Sequence, residues 1–118
     1  MPSSQSDYIM RMIEQLGAAL RRLRQLLARG VPAAPEVLEE AERAQAQLFG
    51  PLWPTLRLVD ADTAAGLIPD RRQLELWVEL LRLEGDASRL TGDDGRAVAL
   101  EARAAELERA LREREAAQ

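Results

Sequence analysis

The sequence predicts an all-α fold of packed antiparallel helical hairpins, about four main helices joined by short turns. Three observations carry that prediction. Ala and Leu supply 20 residues each of the 118, and with Glu, Arg and Gln they are the strong helix formers. Apolar positions recur at spacings of three and four, while strict apolar/polar alternation over five or more residues is nowhere found. Gly and Pro gather at a few places only (Gly30 with Pro32 and Pro35, Gly50 with Pro51 and Pro54, Pro69, Gly92 with Gly95) and cut the chain into helical blocks.

The first helix is expected from about Ser6 to Arg29. Ser4 or Ser6 serves as cap, and Asp7 suits the positive end of the helix dipole. Ile9, Ile13, Leu16, Leu20, Leu23 and Leu27 form its apolar stripe, widened by Met12, Ala19 and Leu26 into the broad face of a core helix. Gly30 then stands at the C′ position. The second helix is expected from about Pro35 to Phe49, with a narrow stripe of Leu38, Ala41, Ala44 or Gln45, and Leu48. Small side chains there admit a close neighbour, and the short connection predicts an antiparallel hairpin with the first helix.

Between Gly50 and Pro69, Pro51 and Pro54 forbid a long helix. One short turn is expected after Pro54 and another after Asp60 or Asp62, either of which is a candidate N-cap. The next helix is expected from Asp70 to about Leu90. Its two apolar series, Leu74-Trp77-Leu81 and Leu76-Leu80-Leu83-Ala87-Leu90, cover much of its circumference and mark it as the central helix. Asp93 or Asp94 caps the last helix, expected to run to about Arg114 with Ala97, Leu100, Ala104, Leu107 and Leu111 as a narrow seam.

Size and composition bound the function. At 13.1 kDa, residues 1–118 are expected to form a single domain that buries about 65% of its unfolded surface, with 1–5 and 115–118 frayed. The sequence holds no His, no Cys and, since all 16 cations are Arg, no Lys. That removes thiolate zinc sites, thiol nucleophiles, the commonest general base, Schiff-base chemistry and Walker-type phosphate loops. No enzymatic activity, cofactor or metal is expected. Asp60-x-Asp62 does not open a calcium loop, because Ala65 stands where such a loop needs Gly and Arg71 where it needs Glu. Asp93-Asp94 reads as a turn and cap, and Glu39-Glu40-Glu42 as a solvated face. The opening residues lack the basic and apolar regions of a secretory signal, and no apolar run approaches the ~18 residues of a membrane span. The expected location is cytoplasmic.

The spacing Gly85-x6-Gly92-x4-Ala97-x6-Ala104 resembles the tetratricopeptide pattern, in which small residues mark close packing within a helix pair. It departs where that pattern has Leu and aromatics, at Glu84, Ser88 and Glu101. The chain as a whole is similar to an uncharacterised bacterial family of small helical proteins with a tetratricopeptide-like C-terminal part. Asp7-Tyr8-Ile9-Met10-Arg11-Met12-Ile13-Glu14 is the most specific segment, supported by Leu48-Phe49-Gly50 and Leu80-Leu81-Arg82-Leu83-Glu84-Gly85-Asp86. The resemblance implies an all-α fold with such a C-terminal pair. It implies no activity and no functional residues.

Three groups stand out as candidate sites. Arg21, Arg22, Arg24 and Arg29 crowd the end of the first helix. Residues 1–30 carry five Arg against two acids, +3, and residues 31–118 eleven against eighteen, −7, which together give the net −4. This is either a patch for an acidic partner or polyanion, or a cationic helix end paired with Glu36, Glu39, Glu40 and Glu42. Trp53, between two prolines, is either packed or an anchor for a partner. Leu100, Leu107 and Leu111 are the candidate self-association seam, provided the monomer does not consume them. The expected function is a non-catalytic protein-interaction or adaptor module of unknown partner, or one that binds itself. The alternative is nucleic-acid or polyanion binding through the basic first helix, against which stand the acidic total and the scarcity of stacking aromatics.

Overall fold

The computed structural model describes residues 4–117, and among them every regular element is helical. Helix α1 spans Ser4–Leu27, α2 Ala34–Phe49, α3 Trp53–Leu56, α4 Ala61–Leu67, α5 Arg71–Leu90 and α6 Asp94–Ala116. Single 3₁₀ turns, Val31–Ala33 and Gly50–Leu52, lead into α2 and α3.

Local chemistry sets these boundaries. Gly92 ends α5 in the left-handed region, at φ 85°. Its N–H reaches the Arg89 carbonyl and that of Asp93 reaches Ser88, the paired bonds of a Schellman motif. Gly30, at φ 82° and ψ −149°, ends the turn after α1 in a conformation that favours glycine. Asp60, Asp70 and Asp93 cap α4, α5 and α6 by accepting from the N–H groups of Thr63, Gln73 and Arg96. Asp70 therefore precedes the helix it was expected to begin. At the other end, α6 continues past Arg114 to Ala116, and α1 is already helical at Ser4. Of the ends expected to fray, 1–5 and 115–118, residues 1–3 and 118 lie outside the described part.

Helix α5 is the centre of the molecule. It packs against α1, α2 and α6, and Leu74, Leu76 and Leu80 on it are wholly buried. The α2 stripe is buried as expected at Ala41, Ala44, Gln45 and Leu48; at its start Val37 and Ala34 are buried as well, whereas Leu38 is only half-buried. Alanines at these positions bring α2 close enough to its neighbours for Val37 to fill the space.

Two expectations need correction. The seam on α6 is consumed inside the monomer. Leu107 is 0% and Leu111 8% exposed, and the half-buried Leu100 packs on the same core, so Leu100, Leu107 and Leu111 leave no apolar strip for a second copy. The α1 stripe joins the core only from Met12 and Ile13, which pack on its edge, and is deeply buried from Leu16. Ile9, Met12 and Ile13 are half-buried, while Tyr8 and Met10 are 60% exposed. The cause is length: 24 residues extend about 36 Å against about 24 Å for the 16 of α2, so the start of α1 overhangs its support.

Two arginines of α6 fasten the irregular middle segment. Arg114 donates to the carbonyls of Ala65, Ile68 and Pro69 at the end of α4. Arg103 donates to the Leu56 carbonyl at the end of α3, at 2.7 Å. A cation on orphan helix-terminal carbonyls satisfies both the hydrogen-bonding deficit and the dipole.

Candidate functional site

Three of the four aromatic residues form one cluster. Phe49 meets Trp77 edge-on with centroids 5.0 Å apart, Trp53 stacks on Phe49 at 6.1 Å, and the two indoles meet edge-on at 6.2 Å. The fourth aromatic, Tyr8, lies on the overhang of α1. Helix α5 places Trp77 at 1% exposure, while α3 leaves Trp53 half-buried. The open side of Trp53 borders a cleft of about 240 Å³ where α2, α3, α5 and α6 converge. Leu81 and Leu100 supply further apolar lining, and Arg57, Arg96, Arg103, Glu42 and Glu84 supply charge.

A buried polar chain runs along the inner wall. The Trp77 indole N–H donates to Gln45 Oε1 at 3.0 Å. Gln45 Nε2 donates onward to Glu84 Oε1 and to the Ala41 carbonyl, and Glu84 Oε2 lies 3.5 Å from Arg96. Gln45 and Glu84 are only 2% and 5% exposed. Burial pushes the Glu84 carboxyl above the ordinary carboxylate range, and Glu42 adds to the push. The Gln45 hydrogen bond and the Arg96 charge oppose it. Sequence reasoning missed this chain. Its visible signals were Gln45 in the α2 stripe and an acid set between Leu83 and Gly85 on an apolar face.

Two guanidinium groups cover the indoles. Arg57 lies 5.7 Å from the Trp53 ring centre and Arg103 5.3 Å from that of Trp77. Arg57 is paired with Glu42 at 3.5 Å. Arg103 has no carboxylate within ion-pair distance among the described residues, and partial burial lowers its pKa from the ordinary value.

The basic end of α1 is divided. Arg22 pairs with Glu40 at 3.1 Å and Glu36 at 4.0 Å, and Arg24 with Glu79 of α5 at 2.9 Å. Arg21 and Arg29 are exposed and form no ion pair among the described residues. The four do not converge with Trp53: none of them lines the cleft. Among the described residues no group of acids is arranged to hold a metal ion, and no helix is long and apolar enough to cross a membrane.

Compared with known protein families, curated proteins and solved structures, the chain has no match.

Proposed function

We propose that the chain is a non-catalytic protein-interaction module built from packed antiparallel hairpins, with the surface around α3 as its docking face. The hairpin reading of α5 and α6 is supported by a ladder of ion pairs in which rising numbers on one helix meet falling numbers on the other: Arg71–Glu115, Arg82–Glu108 and Arg89–Glu101. A tetratricopeptide-like closeness in that pair is supported at Gly85, where a Cβ would stand 3.6 Å from the Ala97 carbonyl.

The observation that carries the functional reading is the exposure of large apolar side chains beside the cleft. Leu58 is 85% and Leu52 42% exposed, and the two flank the half-open Trp53 in the sequence. The segment bearing them is fastened by Arg103 to α6. Rigidly held aromatic and aliphatic residues are what anchors at protein interfaces are made of. The absence of His, Cys and Lys from the sequence points the same way, toward binding rather than turnover. Polyanion binding is the weaker reading, because Arg22 and Arg24 are engaged internally.

Affinity capture from the source cells tests this with the wild type, Leu58→Asp and an Arg21→Gln/Arg29→Gln pair, followed by purification and titration of whatever protein is captured. The expected result is saturable binding to wild type and to the arginine variant, and loss of at least tenfold in affinity for Leu58→Asp. Binding lost with the arginine variant alone would overturn the assignment of the face.

A further inference from the structure

We propose that the cleft between α2, α3, α5 and α6 is a small-molecule site for a carboxylate carried on a flat apolar body, of the aryl carboxylate class. This goes beyond the docking face and does not depend on it, since the occupant is a small molecule and, of the apolar residues of that face, only Trp53 lines the cleft.

The charge balance of the cleft is the first argument. Glu84 is taken by Gln45 and Arg96, and Glu42 by Arg57. Arg103 remains. Its acceptor is a single carbonyl, that of Leu56, and a guanidinium has five N–H donors. No carboxylate lies within ion-pair distance of its half-buried charge among the described residues; Glu106 and Asp60 act on it only from farther off, and burial still lowers its pKa. The second argument is a matching donor. The Trp77 indole N–H is spent on Gln45, whereas that of Trp53 donates to no acceptor among the described residues. One carboxylate has oxygens enough for both Arg103 and Trp53.

The third argument is size and lining. About 240 Å³ lies below the roughly 300–1,000 Å³ of sites for drug-sized ligands, and suits a single ring with its carboxylate. The half-buried Leu100 and the open side of Trp53 provide apolar surface for the ring, with the nearly buried Leu81 at its floor. A cationic ligand is disfavoured, because the chain's own Arg57 and Arg103 already stand over the two indoles.

The chain's two tryptophans give two indole N–H resonances, which makes the test direct. Benzoate, benzamide and acetate are titrated into the whole chain while both resonances are followed. Benzoate is expected to shift the Trp53 resonance saturably, with benzamide and acetate each weaker by about tenfold or more. Arg103→Gln is expected to weaken benzoate by about the same factor. Arg103 also holds the Leu56 carbonyl, so Trp53→Phe, which keeps a ring and removes the N–H, is tested in parallel through the Trp77 resonance and is expected to weaken benzoate likewise. Equal binding of benzoate and benzamide would overturn the carboxylate assignment. Absence of any saturable shift, or wild-type affinity in Trp53→Phe, would overturn the site.

Discussion

Glu84 is the residue at which this chain departs furthest from the plain logic of a helical core. A carboxyl group 5% exposed on the central helix is costly to ionise, and its partners offset only part of that cost. The folded chain therefore holds the Glu84 proton more tightly than the unfolded chain. The resulting stability is fully present below the unfolded carboxyl's range and is lost as pH rises through the raised folded pKa. Glu84→Gln keeps an oxygen acceptor for Gln45 and carries no charge. Its melting temperature is expected to exceed that of wild type at pH 7 and to fall less between pH 4 and 8; parallel wild-type and variant profiles would refute the assignment. The two tryptophans differ in a measurable way as well. Trp77→Ala is expected to cost about 3–5 kcal/mol in denaturant unfolding, as for a fully buried aromatic, and Trp53→Ala distinctly less. The burial of Trp77 was legible in the sequence, because its position in the Leu74-Trp77-Leu81 series is a matter of local spacing. The bond from Gln45 to Glu84 was not. Those residues stand 39 apart, and periodicity sorts side chains by face without saying which of them meet.

At the scale of elements, legibility follows the same line between local and distant causes. The caps were readable to within a pair, Asp60 or Asp62 and Asp93 or Asp94, because a cap and its N–H groups lie within three residues, and Asp60 and Asp93 are the ones that cap. The path from Gly50 to Pro69 was readable only as short turns. What fixes it is Arg103 and Arg114, which reach back from α6 across more than 40 residues to bare carbonyls. Arg114→Ala removes a cation from the end of α4 and is expected to cost about 1–2 kcal/mol, with hydrogen exchange rising first in residues 61–68. Between α5 and α6, a Cβ on Gly85 would lie 3.3 Å from Glu101 Cγ and 3.6 Å from the Ala97 carbonyl. Gly85→Ala gains up to about 1 kcal/mol of helix propensity and displaces only a flexible side chain, so it is expected to be neutral or mildly stabilising. Gly85→Leu forces the two helices apart and is expected to destabilise by about 1–3 kcal/mol. Thermal unfolding of both variants checks the pair, and a tolerated Gly85→Leu would contradict close packing there.

The whole molecule is longer than a sphere of its size. Its extents are 47 × 27 × 24 Å and its radius of gyration 14.6 Å, against about 13.5 Å expected for 118 residues. The all-α architecture and the central place of the helix from residue 71 were legible from composition and stripe width. The inward turn of the α6 seam was not, since a narrow Leu and Ala strip suits an internal partner as well as an external one. With that seam consumed, Leu107→Ala is expected to act on folding, at a cost of about 2–5 kcal/mol, and to leave the sedimentation mass of the folded chain unchanged. The surface proposed for docking is the α3 segment, with Leu52 and Leu58 exposed and Trp53 lining a charged cleft. The most direct test of that claim is a hydrogen-exchange footprint of the purified captured partner on the whole chain. The account predicts protection concentrated in residues 50–60; protection confined to residues 1–30 would contradict it.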